Sequence, residues 1–187
     1  GEKNARINVR RVDLSEFDRE GKIAISLLND AWSTNWGFVP FTEAEKAYGA
    51  KKLKPITIPG ANMIAELDGE PVAFMLAWPD MNEQLIRMNG RLLPFNWLKL
   101  LLWLRRPRAR TFRVPLMGVA KRLQHSRLAS QLAFMMIEYI RRVAVQEHGC
   151  ERAEIGWVLE DNSGMVAIAD VIGSKMNKEY RIYGKPL

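Results

Sequence analysis

The sequence predicts a single α/β domain, and three stretches carry that prediction. Met63 to Leu67, the Asp68-Gly69 pair and Val72 to Trp78 read as a β-hairpin, two apolar runs joined by a two-residue turn. Arg113 to Tyr139 reads as a strand (Val114, Leu116, Met117, Val119), then a polar loop from Lys121 to Arg127. Leu128, Leu132, Met136 and Ile140 then recur at helical spacing. Ala153 to Leu159 reads as a further strand, followed by a short helix capped by Asn162 or Ser163 and ended by Gly173.

The other elements fit around these. Arg6 to Val12 alternates apolar and charged residues, the pattern of a half-buried first strand. Ser15 to Trp32 suits a helix, with Phe17, Ile23, Ile25, Leu27, Leu28 and Ala31 as its apolar positions. Asn35 to Pro40 is broken by Gly and Pro and predicts a loop, and Thr42 with Glu45 predicts a capping box opening a second helix through about Lys52. Asp80 to Asn82 leads into a short helix through Met88. Leu92 to Leu104 is dense in Leu and Trp, with Arg105, Arg106, Arg108 and Arg110 directly behind. We treat residues 83 to 110 as an insertion. Tyr180 to Tyr183 alternates and predicts a strand that closes the sheet.

Composition narrows the class. With 187 residues, 48% apolar, the chain holds enough core for one domain. Cys150 is the only cysteine and there are two histidines, so neither a disulfide framework nor a structural zinc site is expected. A reducing cytoplasm is the expected setting, with no apolar run of about 18 residues to span a bilayer. A net charge of +7 attracts anions in general. No nucleic-acid-binding module is recognisable, so nucleic acid is not an expected partner.

A strand that delivers its chain to a helix start makes an anion site, because the first helical N–H groups are unpaired and the dipole is positive there. At this point the sequence resembles the GNAT family of acyltransferases. Their pyrophosphate loop follows the fourth strand with the pattern Gln/Arg-x-x-Gly-x-Gly/Ala. Here it falls on Gln124, His125, Ser126, Arg127, Leu128 and Ala129, with Arg127 at the family's glycine. Asn162 and Gly173 stand at the family's eleven-residue spacing, and Ala169 occupies the position of its usual catalytic tyrosine. The segments Asn29 to Glu45, Ile64 to Asn82 and Asn89 to Leu101 also resemble the C-terminal half of a bacterial protein group with two GNAT-like halves in tandem.

The resemblance implies a mixed, mostly antiparallel sheet flanked by helices and an acyl-CoA-dependent N-acyltransferase, with no metal. The acceptor would be a small-molecule amine or a peptide, and a homodimer or a second GNAT half a partner. It implies that Met117, Gly118 and Val119 pair with pantetheine, that Gln124 to Ala129 face the pyrophosphate, and that Asn162 lies beside the cofactor. The competing reading is a catalytically silent GNAT-fold module, favoured by Arg127 and Ala169. Arg127 either contacts a phosphate or points to water.

Candidate acids and bases are Glu160 and Asp161, at the end of the proposed fifth strand, and Tyr180. The plainer use of Glu160 and Asp161 is at the cap of the next helix, and that of Tyr180 is as a sheet residue. Asn29, Trp32, Asn35 and Trp36 lie where the family borders its acceptor, and Asp80 and Asn82 are further substrate candidates. Anchoring, turn and capping roles compete for all six. Leu92 to Arg110 has three readings: a cover for the core or a dimer contact, a wall for a long acyl chain, or an interfacial helix on a membrane surface. The first is the commonest use and the membrane surface the least expected.

Overall fold

The computed structural model describes residues 4–54 and 57–185. Five strands run in spatial order β1 (Ile7–Arg11), β2 (Asn62–Leu67), β3 (Glu70–Pro79), β4 (Thr111–Val119) and β5 (Arg152–Ile155). All pairs are antiparallel except β4 and β5, which are parallel. The hairpin turn has both Asp68 and Gly69 at positive φ, the geometry that matches strand twist. Among the described residues six α-helices accompany the sheet: α1 (Phe17–Ala31), α2 (Glu43–Leu53), α3 (Asn82–Arg87), α4 (Asn96–Arg105), α5 (Arg127–His148) and α6 (Ser163–Val171). The capping box at Thr42 and Glu45 is formed, and Gly149 ends α5 in the left-handed conformation. Among the described residues no helix is long and apolar enough to cross a membrane.

Alternation along the strands sorts the core into two layers. Met63, Ala65, Ala73, Met75 and Phe112 face α5, meeting Leu132, Met136 and Ile140, while Ile64 and Phe74 face Ala24 and Leu28 of α1. One buried charge ties the first layer of chain together. Glu20 of α1 is 3% exposed and pairs with Arg10 at 2.6 Å, and Arg10 also reaches Glu66 of β2 at 2.6 Å. These contacts, the Glu20 hydrogen bond foremost, raise the guanidinium pKa.

Two strand expectations are corrected. Tyr180 to Tyr183 forms no strand, because alternation alone is not enough: a strand needs a sheet edge to pair with and a surface to bury, and residues 173–185 are all exposed. The strand expected over Ala153 to Leu159 stops at Ile155, for a reason seated in β4.

Candidate functional site

β4 is where the sheet comes apart. Its register with β3 jumps from Leu116↔Leu76 to Arg113↔Trp78, so Val114 and Pro115 together oppose Ala77 in a β-bulge. Pro115 has no N–H to continue a ladder, and bulges are where a strand tolerates proline. On the other side β5 pairs with β4 only as far as Val114↔Ile155, with a last bond from the Gly156 N–H to the Val114 carbonyl at 2.9 Å. Gly156 lies so close to Pro115 that a Cβ there would stand 3.2 Å from the proline Cα. Beyond this contact the pairing of the two strands ends. Because the Ala120 N–H donates to Val72 of the neighbouring chain segment at 2.7 Å, alternation turns the Met117 and Val119 backbone groups away from β3, toward the open edge. Their N–H groups meet no strand partner, since pairing to β5 has ended.

The open edge leads into the loop before α5. Lys121–Leu123 forms a 3₁₀ turn, and His125 takes φ 63°, so a histidine supplies the left-handed residue. Ser126 is the N-cap, accepting from the Ala129 N–H at 3.2 Å, and Arg127 is the first helical residue. The N–H groups of Arg127 and Leu128 have no acceptor among the described residues. Arg127 therefore stands at a position that needs no glycine geometry, with an exposed guanidinium at the positive end of a 22-residue helix.

Several of the candidate residues have side chains held within the protein. Gln124 donates to the carbonyls of Ala31 and Val119, at 2.9 and 3.0 Å, which locks the loop to α1 and β4. Trp32 donates its indole N–H to the Met117 carbonyl at 3.0 Å and packs edge-on against Phe38. Asn29 uses both ends of its amide on the Phe41 backbone, each at 2.9 Å, and so pins the loop after α1. These three position the site; a side chain whose donors are already satisfied has little left for a ligand. Asn35 is half-buried and hydrogen-bonds through its backbone, and Trp36 is 64% exposed, not an anchor to the core.

Glu160 and Asp161 are exposed on the segment between β5 and α6, and Asn162 caps α6 by accepting from the Met165 N–H. Tyr180 is exposed but stacks edge-on against Trp157, ring centroids 5.9 Å apart, which sets it one residue beyond the Gly156 contact. Cys150 is half-buried, and burial pushes its thiol up, away from the reactive thiolate.

A cavity of about 190 Å³ lies against the bulge, lined by Trp78, Asp80, Met81, Leu85, Leu104 and Arg113 among others. Asp80 accepts from the backbone and side-chain N–H groups of Asn82, a turn that opens α3. The buried indole N–H of Trp78 has no hydrogen-bond partner among the described residues. Sequence reasoning missed Trp78 and also Glu83. The Glu83 carboxylate accepts from the N–H groups of Arg110 and Thr111, at 3.1 and 2.8 Å, and so ties α3 to the start of β4. Burial pushes its pKa up, but these hydrogen bonds outweigh burial and hold it below the ordinary value. It missed a charge pattern as well: from Gln84 to Ile137 there is no Asp or Glu, and eleven Lys and Arg. That stretch holds the insertion, the bulged strand and the start of α5. Among the described residues no group of three His, Cys, Asp or Glu could hold a metal ion.

No family model matches the chain. It is 41% identical over 179 residues to a bacterial ceramide synthase from Caulobacter vibrioides, covering 96% of this chain and 46% of the relative. It is 38% identical over 182 residues to protein YghO of Escherichia coli, covering 97% of this chain and again 46% of the relative. The chain thus spans about half the length of the curated relatives it matches. Among solved structures it resembles an aminoglycoside N-acetyltransferase in complex with CoA, with a TM-score of 0.59 at 12% identity over 99% of this chain and 98% of the other. It also resembles a ribosomal-protein-alanine N-acetyltransferase from Brucella melitensis, with a TM-score of 0.54 at 12% identity, over 96% and 99%.

Proposed function

From a chain that has the GNAT acetyltransferase fold, we propose an acyl-CoA-dependent N-acyltransferase acting on a long-chain amine. The observation that carries the reading is the open edge of β4 running into the unpaired N–H groups of Arg127 and Leu128. The carbonyl oxygens of an extended amide-bearing chain such as pantetheine can accept from the N–H groups of Met117 and Val119, while a pyrophosphate meets the helix start. The acid-free stretch around it adds favourable potential for a polyanion. In the reaction the amine nitrogen attacks the thioester carbonyl carbon, the C–S bond breaks, the nitrogen loses a proton and the leaving thiolate gains one. Glu160 or Asp161 takes the amine's proton in this reading, and Tyr180, beside Trp157, supplies one to the thiolate. The long-chain acceptor follows from the relative named a ceramide synthase, since a ceramide is the amide of a fatty acid and a long-chain amino alcohol. The apolar cavity beside Leu85 and Leu104 suits an alkyl chain. The rest of the longer relatives' length, as a second half, is a proposed partner, and a homodimer the other.

The test is calorimetric titration with coenzyme A, acetyl-CoA and a long-chain acyl-CoA, followed by thiol release with a long-chain amino alcohol. Binding of all three with preference for the long chain is expected, and no binding at millimolar ligand overturns the reading. Arg127→Gly is expected to weaken coenzyme A binding by roughly tenfold, the size of a charged hydrogen bond; stronger binding would show that the side chain obstructs the loop. The second reading, a silent GNAT-fold module, is favoured by Ala169 and by the exposed, unanchored carboxylates of Glu160 and Asp161. Its signature is coenzyme A binding without thiol release.

A further inference from the structure

We propose that α4 and the loop before it form a docking surface for anionic lipid, on which the protein lies without spanning the bilayer. In α4 the half-buried positions are Asn96, Leu100, Trp103 and Leu104, at helical spacing. Leu98, Leu101 and Leu102 lie on the opposite side and Trp97 on its flank, all four exposed, and no residue of the helix is buried. Leu92, Leu93 and Phe95 extend this apolar face, Leu93 and Phe95 being more than 70% exposed. A contiguous run of exposed large apolar side chains marks an interaction surface.

Its charge selects the partner. Arg87, Arg91, Lys99, Arg105, Arg106 and Arg108 lie within or beside these segments in the chain, and none has a carboxylate within salt-bridge distance among the described residues. No acid occurs between Glu83 and Glu138 to offset them. A second copy is a poor occupant, because a two-fold dimer brings the same patch against itself and sets these cations face to face. A surface of anionic headgroups over an apolar layer complements both features, with long cationic side chains reaching the headgroups while Leu and Trp side chains enter the acyl boundary. Ten residues make a helix of about 15 Å, far short of a span, so it must lie along the surface. Leu104 on its inner side lines the cavity, which would place that cavity beside the lipid. The docking stands on the exposed face and does not depend on acyl transfer.

The test is co-sedimentation of this chain with vesicles of equimolar phosphatidylglycerol and phosphatidylcholine, against vesicles of phosphatidylcholine alone. Binding to the anionic vesicles is expected, with loss at about 0.5 M salt, where charges are screened within a few ångströms. Arg105→Gln with Arg106→Gln is expected to lower partitioning by roughly fivefold per charge. Leu101→Ser with Leu102→Ser is expected to lower it by roughly tenfold or more per leucine, with an unchanged thermal melt because both side chains are exposed. Failure to bind anionic vesicles overturns the proposal, as does binding unaffected by both double variants. A concentration-dependent dimer in analytical ultracentrifugation, abolished by Leu101→Ser with Leu102→Ser, would give the face to a second copy and overturn it equally. None of these readouts involves coenzyme A, so the acyltransferase reading stands or falls separately.

Discussion

The sheet with α5 and the insertion around α4 are both rich in large apolar residues, yet they dispose of them in opposite ways. Leu132 and Met136 of α5 are fully enclosed against β2 and β3, whereas Leu101 and Leu102 of α4 are half or more exposed. The difference is one of partners. α5 lies across a sheet face whose alternate residues all point at it, while α4 has only its inner row, Trp103 and Leu104 in particular, over the protein. Apolar composition thus reports a demand for burial, and only the arrangement of the other elements says whether the chain itself meets it.

Substitutions in the two regions separate them by size of effect. Arg10→Ala removes the partner of the enclosed Glu20 carboxylate and is expected to cost about 3–5 kcal/mol, read from urea unfolding, because an uncompensated buried charge remains. Leu132→Ala is expected to cost about 3 kcal/mol for its lost contacts and cavity. Glu83→Gln, at the joint between the insertion and β4, is expected to cost about 2 kcal/mol at neutral pH. Its pH dependence has a definite sign. The folded-state pKa of Glu83 is lowered from 4.5, so its contribution is fully present above that value and lost as pH falls through the lower one. The stability gap between wild type and Glu83→Gln should therefore hold from pH 7 to about 5 and close on further acidification. Smallest is Leu101→Ala on the outer face of α4, expected to change stability by no more than about 0.5 kcal/mol. A Leu101→Ala cost near that of Leu132→Ala would erase the contrast and return α4 to the core.

Within the site, legibility followed the range of the interaction. The hairpin turn, the Thr42 box and the Asn162 cap are settled by neighbours a few residues apart, and the pattern displayed them. The loop pattern picks out Gln124, but not that its side chain locks the loop through Ala31, 93 positions earlier in the chain. For Trp32 the sequence leaves substrate contact and anchoring both open, and the bond to Met117, 85 positions later, supplies the anchor. No spacing rule reports such pairings, since they exist only once α1 lies over β4.

The sequence by itself determined the α/β class, the hairpin turn and the strand–loop–helix with an anion-seeking start, because alternation, helical spacing and turn chemistry are local properties. Tertiary structure alone decided that β5 stops at Ile155, where Pro115 and Gly156 meet across two strands, and that Tyr180 to Tyr183 finds no sheet edge to pair with. It also decided which apolar face of the chain is left uncovered. Pairing and burial are relations between distant segments, and their energies appear only when the segments are brought together.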